Sequence, residues 1–210
     1  MQKPITAVVV GAGHRALVYA SYAQQHPDRL QIVGVADPIP YRRRHVQETY
    51  AFGDDHCFET AEQLAASGRI ADAVINGTMD ADHVPTTVPL LEAGYHVLLE
   101  KPFATTAEEV RRLQRTAERT NRTVLICHVL RYVPFYAKIR ELVAAGEIGE
   151  LLNLQLCEHV SYHHFVVGYV RGKWRREEDG VATLMAKSCH DLDILMWMKS
   201  GIRPRRVFSQ

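Results

Sequence analysis

Residues 5–16, ITAVVVGAGHRA, decide the fold expected of this chain. The first six are mostly β-branched and run without polar alternation, which is typical of a strand buried on both faces. A glycine turn, Gly11-Ala12-Gly13, follows directly, and residues 14–24 have the spacing of a helix. A strand, a glycine turn and a helix in this order predict the first βα unit of an open α/β sheet.

The same alternation continues through residue 127. The sequence predicts further buried strands at Leu30–Ala36, 71–76, His96–Leu99 and 123–127, with helical segments between them. Thr105 with Glu108 predicts the start of the helix that precedes the last of these strands. Strands that alternate with helices predict a parallel, doubly wound sheet with right-handed crossovers, so we expect a Rossmann-type domain over residues 1–127.

The pattern changes after residue 127. We expect a helix at 135–145, a longer strand at 150–160, a helix at 184–198 and the start of a strand at 207–208. This order is typical of an α+β domain. Because the last strand begins four residues before the end of the sequence, we expect residues 128–210 to be an incomplete domain.

Composition narrows the class of protein. The 210 residues carry a net charge of +1, which gives no indication of a nucleic-acid or membrane partner. The sequence has no apolar run of transmembrane length and no predicted signal peptide. The four cysteines form no CxxC pair, so we expect a reducing cytoplasm and no disulfide framework.

The glycine turn matches a dinucleotide-binding motif. The pattern G-x-G-x-x-G/A opens a helix here, and its second glycine lets a pyrophosphate approach the backbone. Asp37 ends the second predicted strand, where an acid hydrogen-bonds the adenosine ribose. A carboxylate there favours NAD, while Arg42, Arg43 and Arg44 leave NADP open. The predicted cofactor residues from this motif are Gly11, Ala12, Gly13, His14, Arg15 and Asp37.

A second group of polar residues stands at Glu100-Lys101-Pro102, where the strand His96–Leu99 ends. Open α/β sheets bind ligands at the carboxyl ends of their strands. Proline also restricts the backbone of the residue before it, so Lys101 is held in an extended geometry. These residues predict an active-site lysine.

With these motifs, the chain resembles the Gfo/Idh/MocA family, the glucose–fructose oxidoreductase and inositol dehydrogenase group. The resemblance extends over nearly the whole chain, in order. Besides the glycine turn and Glu100-Lys101-Pro102, it rests on residues 36–38, 78–83, 128–134, 146–149 and 190–193.

The resemblance implies a Rossmann domain followed by a mostly antiparallel sheet domain, with sugars, polyols or their derivatives as substrates. It implies that Lys101 contacts the reacting hydroxyl and that His190 is the general acid/base. It also assigns Thr78, His83, Glu100 and Lys101 to the cofactor edge. Such proteins commonly associate through the open second sheet, so we expect a homo-oligomer of the full-length form.

One position departs from the family pattern. An aspartate usually stands four residues before the histidine, and here that position is Ala186, followed by Lys187. Lys187 lies three residues before His190, on a neighbouring helical position. We therefore include Lys187 as a candidate catalytic residue that binds an acidic or carbonyl-bearing substrate or acts as a second acid/base. A solvated surface lysine is the alternative.

Polar and aromatic residues are dense between the strand predicted at 150–160 and the helix predicted at 184–198. They suit a polyhydroxylated ligand, and the candidate substrate residues are His128, Arg131, His163, Tyr169, Arg171 and Trp174. His83 and His128 are equally compatible with purely structural roles. Cys157, Glu158, His159 and His163 could in principle bind a metal, but their spacing matches no standard site, so we predict none.

The sequence therefore predicts a cytoplasmic NAD(P)-dependent oxidoreductase that moves a hydride between nicotinamide and a carbon of a sugar, cyclitol or related polyol. Two alternatives stay open at this point. The first is a redox-neutral glycoside hydrolase of the same family that uses bound NAD. The second is a nucleotide-binding fragment without catalysis.

Overall fold

The computed structural model describes residues 3–172, 174–176, 181 and 183–208. These residues divide into two compact units. The first holds residues 3–127 together with 174–176 and 181, and the second holds 128–172 and 183–208. Each unit is described separately.

The first unit is built on a parallel sheet. Its strands are β1 (Ile5–Val10), β2 (Leu30–Ala36), β3 (Cys57–Phe58), β4 (Ala73–Asn76), β5 (His96–Leu99) and β6 (Val124–Ile126). The order across the sheet is β3-β2-β1-β4-β5-β6, and all the pairs are parallel. The chain reverses its direction of winding between β1 and β4, which creates the crevice where such sheets bind ligands. The predicted Rossmann-type α/β fold is confirmed.

Side-chain alternation along β1 builds a core on each face of the sheet. Val8 and Val10 pack into the cluster that contains Leu90 and Leu99 on one face. Ala7 and Val9 pack on the other face. The β-branched run is buried on both sides, as a central parallel strand requires.

Helices cover both faces of this sheet. Those of the first unit are α1 (His14–Ala20), α2 (Tyr22–Gln25), α3 (Pro40–Tyr50), α4 (Ala61–Ala66), α5 (His83–Glu92) and α6 (Ala107–Thr120). The predicted cap of α6 is wrong by one residue, because Thr106 accepts a hydrogen bond from the Glu109 backbone while the Glu109 carboxylate bonds the Thr106 backbone. Both Thr-x-x-Glu pairs exist in the sequence, and only this one closes a capping box.

The second unit is helical where it is regular. It contains α7 (Pro134–Ala144), α8 (Tyr162–Phe165), a π-helical turn at Val166–Val170, and α9 (Thr183–Met198). The strand predicted at 150–160 is wrong, since these residues have no regular secondary structure, and residues 207–208 form no strand either. A strand needs a neighbour for its backbone hydrogen bonds, and the described residues supply none there. The antiparallel sheet of this domain stays a prediction.

No helix within the described ranges is both long enough and apolar enough to cross a membrane.

Tyr95 fixes the entry to β5. Its side chain is fully buried, and its hydroxyl accepts from the Ile70 backbone at 3.0 Å and donates to the Gly68 carbonyl at 2.9 Å. The tyrosine thus ties the loop before β4 to the start of β5, and these two strands carry the polar residues described below.

We expect Tyr95→Phe to lower the free energy of unfolding by about 1–3 kcal/mol, because it removes two hydrogen bonds, one from the Ile70 N–H and one to the Gly68 carbonyl. Urea unfolding followed by circular dichroism measures this. The control is Tyr41→Phe, whose ring is 69% exposed, with an expected change within about 0.5 kcal/mol. Equal effects of the two variants would contradict the role of the Tyr95 hydroxyl.

Candidate active site

The turn after β1 requires glycine at its first position. Gly11 has a φ of +71°, and a Cβ there would lie 2.7 Å from the Thr78 backbone nitrogen. Gly13 has an ordinary extended backbone, and a Cβ on it would meet nothing within 4 Å. Gly11 is therefore needed by the fold, while Gly13 leaves open space beside the backbone.

Asp37 joins the end of β2 to this turn. Its buried carboxylate accepts hydrogen bonds from the Ala12 backbone and from the Ile39 backbone, each at 2.8 Å. The Arg42 guanidinium lies 3.5 Å from the same carboxylate. A carboxylate offers about four acceptor positions, so Asp37 keeps capacity for a ribose hydroxyl. The open space at Gly13 and this acceptor fit a dinucleotide.

Asn76, which the sequence analysis missed, organises the end of β4. Its amide nitrogen donates to Thr86 and Thr87 at 2.9 Å, and its amide oxygen accepts from both the backbone and the hydroxyl of Thr78. Thr78, a predicted cofactor residue, is thereby fixed beside Gly11. A buried asparagine at the last position of a strand was the available signal.

Glu100 places a hydrogen-bonded carboxylate at the end of β5. Its carboxylate accepts from the Tyr19 hydroxyl at 2.5 Å and from the Lys101 backbone at 2.6 Å, and the Arg15 guanidinium lies 3.6 Å away. Burial and this carboxylate both raise the pKa of Tyr19, and burial raises the pKa of the adjacent Cys127 to about 12. The phenol therefore remains a donor, and the thiol is not a nucleophile.

Lys101 follows Glu100 at the carboxyl end of β5. The peptide bond between Lys101 and Pro102 is cis, and the Pro102 carbonyl lies 2.7 Å from Nδ1 of the buried His83. His83, predicted at the cofactor edge, thus contacts the Glu100-Lys101-Pro102 segment directly. The backbone on both sides of Lys101 is held by hydrogen bonds.

In the second unit, two predicted histidines lie together. The rings of His128 and His190 meet edge to face with centroids 5.9 Å apart. Arg131 makes a two-pronged contact with Asp193, at 2.7 and 2.6 Å, and its guanidinium lies 5.8 Å from the Trp197 ring. Arg131 was predicted to contact substrate, and here its charge is paired with Asp193. The sequence analysis gave Asp193 no role, although it lies three residues after His190.

Lys187 also has described neighbours. Its ammonium lies 2.9 Å from Nε2 of His164 and 5.9 Å from the centre of the Tyr169 ring. It is therefore not a freely solvated lysine. His163 and Arg171 are exposed in the same segment. Within the described ranges, no group of three or more His, Cys, Asp or Glu side chains is arranged to hold a metal ion.

The predicted residues fall into two groups. The first unit holds Gly11, Ala12, Gly13, His14, Arg15, Asp37, Thr78, His83, Glu100, Lys101 and Trp174. The second holds His128, Arg131, His163, Tyr169, Arg171, Lys187 and His190. Of the first group, His14 is exposed and has no described side-chain contact. The residues whose side chains make the contacts given above are Arg15, Asp37, Thr78, His83 and Glu100.

The two glycines of the turn allow fold and binding to be separated. We expect Gly11→Ala to lower both the melting temperature and the affinity for NADH, because its Cβ would collide with backbone. We expect Gly13→Ala to keep the melting temperature within about 2 °C and to weaken NADH binding at least tenfold, since its Cβ would occupy the space for the pyrophosphate. Thermal melting and calorimetric titration measure the two effects. NADH binding that survives in Gly13→Ala would contradict the site.

Tyr19→Phe tests the support of Glu100. Removing the hydroxyl deletes a hydrogen bond to a charged group, so we expect about 1.5–3 kcal/mol less free energy of unfolding. The control is Tyr50→Phe, because the half-buried Tyr50 hydroxyl makes no hydrogen bond with any described residue. Urea unfolding at neutral pH measures both, and a control that loses as much as Tyr19→Phe would refute the assignment.

The sequence of this chain is similar to those of known dehydrogenases. The chain is 36% identical over 127 residues to D-xylose 1-dehydrogenase (NADP(+)) of Hypocrea jecorina, covering 60% of this chain and 32% of that protein. It is 29% identical over 156 residues to inositol 2-dehydrogenase of Corynebacterium glutamicum, covering 74% and 45%. The chain thus spans less than half the length of these relatives.

A solved structure shows the same fold. It is the WlbA dehydrogenase from Bordetella pertussis in complex with NADH and UDP-GlcNAcA, with a TM-score of 0.78 and 21% identity, over 95% of this chain and 58% of that one. The family model described as "Oxidoreductase family, NAD-binding Rossmann fold" matches residues 5–128. With more than half of its length matched, the chain belongs to this GFO_IDH_MocA family of oxidoreductases.

Proposed function

We propose that this chain supplies the NAD-binding domain and part of the substrate domain of an NAD(P)-dependent oxidoreductase. Its reaction moves a hydride between the nicotinamide and a hydroxyl-bearing carbon of a sugar, cyclitol or related polyol. The observation that carries the proposal is Lys101, held at the end of β5 by Glu100 in the same unit as the glycine turn. When bound, NAD supplies the hydride acceptor that this reaction needs.

In this proposal Lys101 stabilises the developing negative charge, and His190 transfers the proton. Oxidation of an alcohol makes the oxygen more negative as its proton leaves, and an ammonium beside that oxygen stabilises the charge. Histidine titrates in the range that a general base at neutral pH requires, so His190 takes the proton. Its neighbour His128 stacks edge-on and orients the ring.

The remaining candidates have supporting roles. Lys187, through His164 and Tyr169, ties the 162–170 segment to α9 and is an auxiliary acid/base at most one helical turn from His190. Arg131 is better suited to hold α9 through Asp193 than to bind substrate, because its charge is already paired. His163 and Arg171 are exposed side chains that suit a polyhydroxylated ligand.

Asp37 sets the cofactor preference. Its buried carboxylate would repel a 2′-phosphate, which favours NAD. Arg42 lies 3.5 Å from that carboxylate and offsets part of its charge, so binding of NADP should be weaker rather than abolished. We also propose a cytoplasmic location, in keeping with four free cysteines, and homo-oligomerisation of the full-length form.

We expect Lys101→Ala to abolish turnover while NADH affinity changes less than about threefold, because the lysine acts on the reacting oxygen. Turnover with a panel of polyols is followed by NADH absorbance, and affinity by calorimetry. Lys138→Ala is the matched control, since Lys138 is exposed and pairs only with Glu141 among the described contacts. A loss of NADH affinity with turnover preserved would refute the proposal.

A further inference from the structure

The turn after β4 buries a carboxyl group that has spare bonding capacity. Asp80 begins the 3₁₀ turn Asp80–Asp82 and is only 6% exposed. Within the described part of the chain, its Oδ2 atom is buried and has no hydrogen-bond partner. Native proteins rarely leave a buried carboxyl oxygen without a hydrogen bond, because the group loses its hydration and gains no partner in exchange.

A second buried atom without a described partner lies on the next element. His83, 1% exposed at the start of α5, uses Nδ1 on the Pro102 carbonyl, while its Nε2 has no hydrogen-bond partner among the described residues. The two residues lie three positions apart in the chain, in the turn after β4, whose last residue Asn76 pairs with Leu99 of β5. His83 contacts the Glu100-Lys101-Pro102 segment through the Pro102 carbonyl. By contrast, both side-chain polar atoms of Asn76, which precedes them, are bonded, the oxygen to Thr78 and the nitrogen to two threonines of α5.

The charged groups around Asp80 define its electrostatic environment. Burial raises the pKa of Asp80, and the charge of Glu100 adds to the increase. The charges of His83 and Lys101 lower this pKa. Trp174 donates a hydrogen bond to the carboxyl group. The positive charge of Lys101 thus acts on the Asp80 carboxyl group. Glu100, the neighbour of Lys101 in the chain, is already bonded to Tyr19 and to backbone.

We propose that Asp80 is a positioning residue for the reaction, a buried carboxylate that holds the Lys101 ammonium at the reacting oxygen while its free oxygen and His83 Nε2 bind an ordered water or a substrate hydroxyl. The inference rests on the proposed role of Lys101. The family's usual aspartate is absent at Ala186 of the second unit, and Asp80 offers a buried carboxyl group in the first unit, which also holds Lys101.

The neighbouring Asp82 shows that a carboxyl group is not required by the turn itself. Asp82 occupies the same turn, is exposed, and makes no side-chain capping bond. The turn closes through the backbone, with the Asp82 N–H bonded to the Met79 carbonyl at 2.8 Å. Asp82→Asn is thus a matched control that changes the same residue type two positions away.

The first measurement is the pH dependence of the ratio of wild-type to Asp80→Asn turnover. Only ionised Asp80 holds the ammonium, so we expect a ratio near one at low pH that rises to at least about tenfold as Asp80 loses its proton. The midpoint should lie above 3.8, the ordinary value for aspartate. NADH affinity should not change, and Asp82→Asn should follow the wild type at every pH. A ratio independent of pH would mean a structural role and would overturn the proposal.

The second measurement needs no activity. NMR titration of the Asp80 carboxyl carbon is carried out on the whole chain and on Lys101→Met, with Lys138→Met as the control. Removing a nearby positive charge should move the Asp80 midpoint to higher pH by roughly one pH unit, while Lys138→Met leaves it in place.

The two measurements separate the possible failures. An unmoved Asp80 midpoint in Lys101→Met overturns the inference whether or not the enzyme turns over. If the midpoint moves but no polyol is oxidised, the charge contact stands and the proposed function fails. A midpoint shared by the NMR titration and the turnover ratio supports both.

Discussion

The Glu100 carboxylate is the interaction on which the candidate site depends. One oxygen accepts from the Tyr19 hydroxyl on α1 and the other from the Lys101 backbone after β5. The Glu100 backbone in turn donates to the last residue of β4, Asn76. A single side chain therefore joins the helix that follows the glycine turn to the strand that presents the lysine. Charge-assisted hydrogen bonds of this kind are short and strong, so the lysine backbone has little freedom to move.

Buried polarity is concentrated where it serves this edge. Of the seven buried polar or charged residues in the described chain, five stand at the carboxyl ends of β2, β4 and β5 or in the turns that follow: Asp37, Asn76, Asp80, His83 and Glu100. The apolar, β-branched interior of the sheet supplies the stability that offsets the cost of burying these polar groups. Each side-chain polar atom of Asp37, Asn76 and Glu100 already has a described partner, whereas Asp80 and His83 each retain a buried polar atom without one. Asp80 and His83 therefore each have an atom at this edge that is open to a further hydrogen bond.

The sequence predicted the sheet well because its strands are continuous apolar runs. It also predicted where β5 ends, because the Glu100-Lys101-Pro102 segment follows that strand. It missed β3, since two residues, Cys57 and Phe58, carry no periodicity. The predicted strand at 150–160 is wrong because alternation alone cannot supply a neighbouring strand. Tyr19 was also missed, since its partner Glu100 lies 81 residues away and only the fold brings the two together. The roles of Lys101, His190 and Lys187 stay predictions.

Asp80 of the first unit and Asp193 of the second differ in how fully their carboxyl groups are already paired. In the second unit, Asp193 lies close to His128, with 3.9 Å between His128 Nε2 and an Asp193 oxygen, but both oxygens of Asp193 are bonded by Arg131. The hydrogen bonds to Asp193 are the largest cause of the raised pKa of Arg131, as expected when the two opposite charges are paired. A carboxylate so neutralised can hold a helix but cannot respond to a developing charge. In the first unit, the charge of Lys101 acts on the Asp80 carboxyl group, one oxygen of which has no hydrogen-bond partner among the described residues, and such a group can respond.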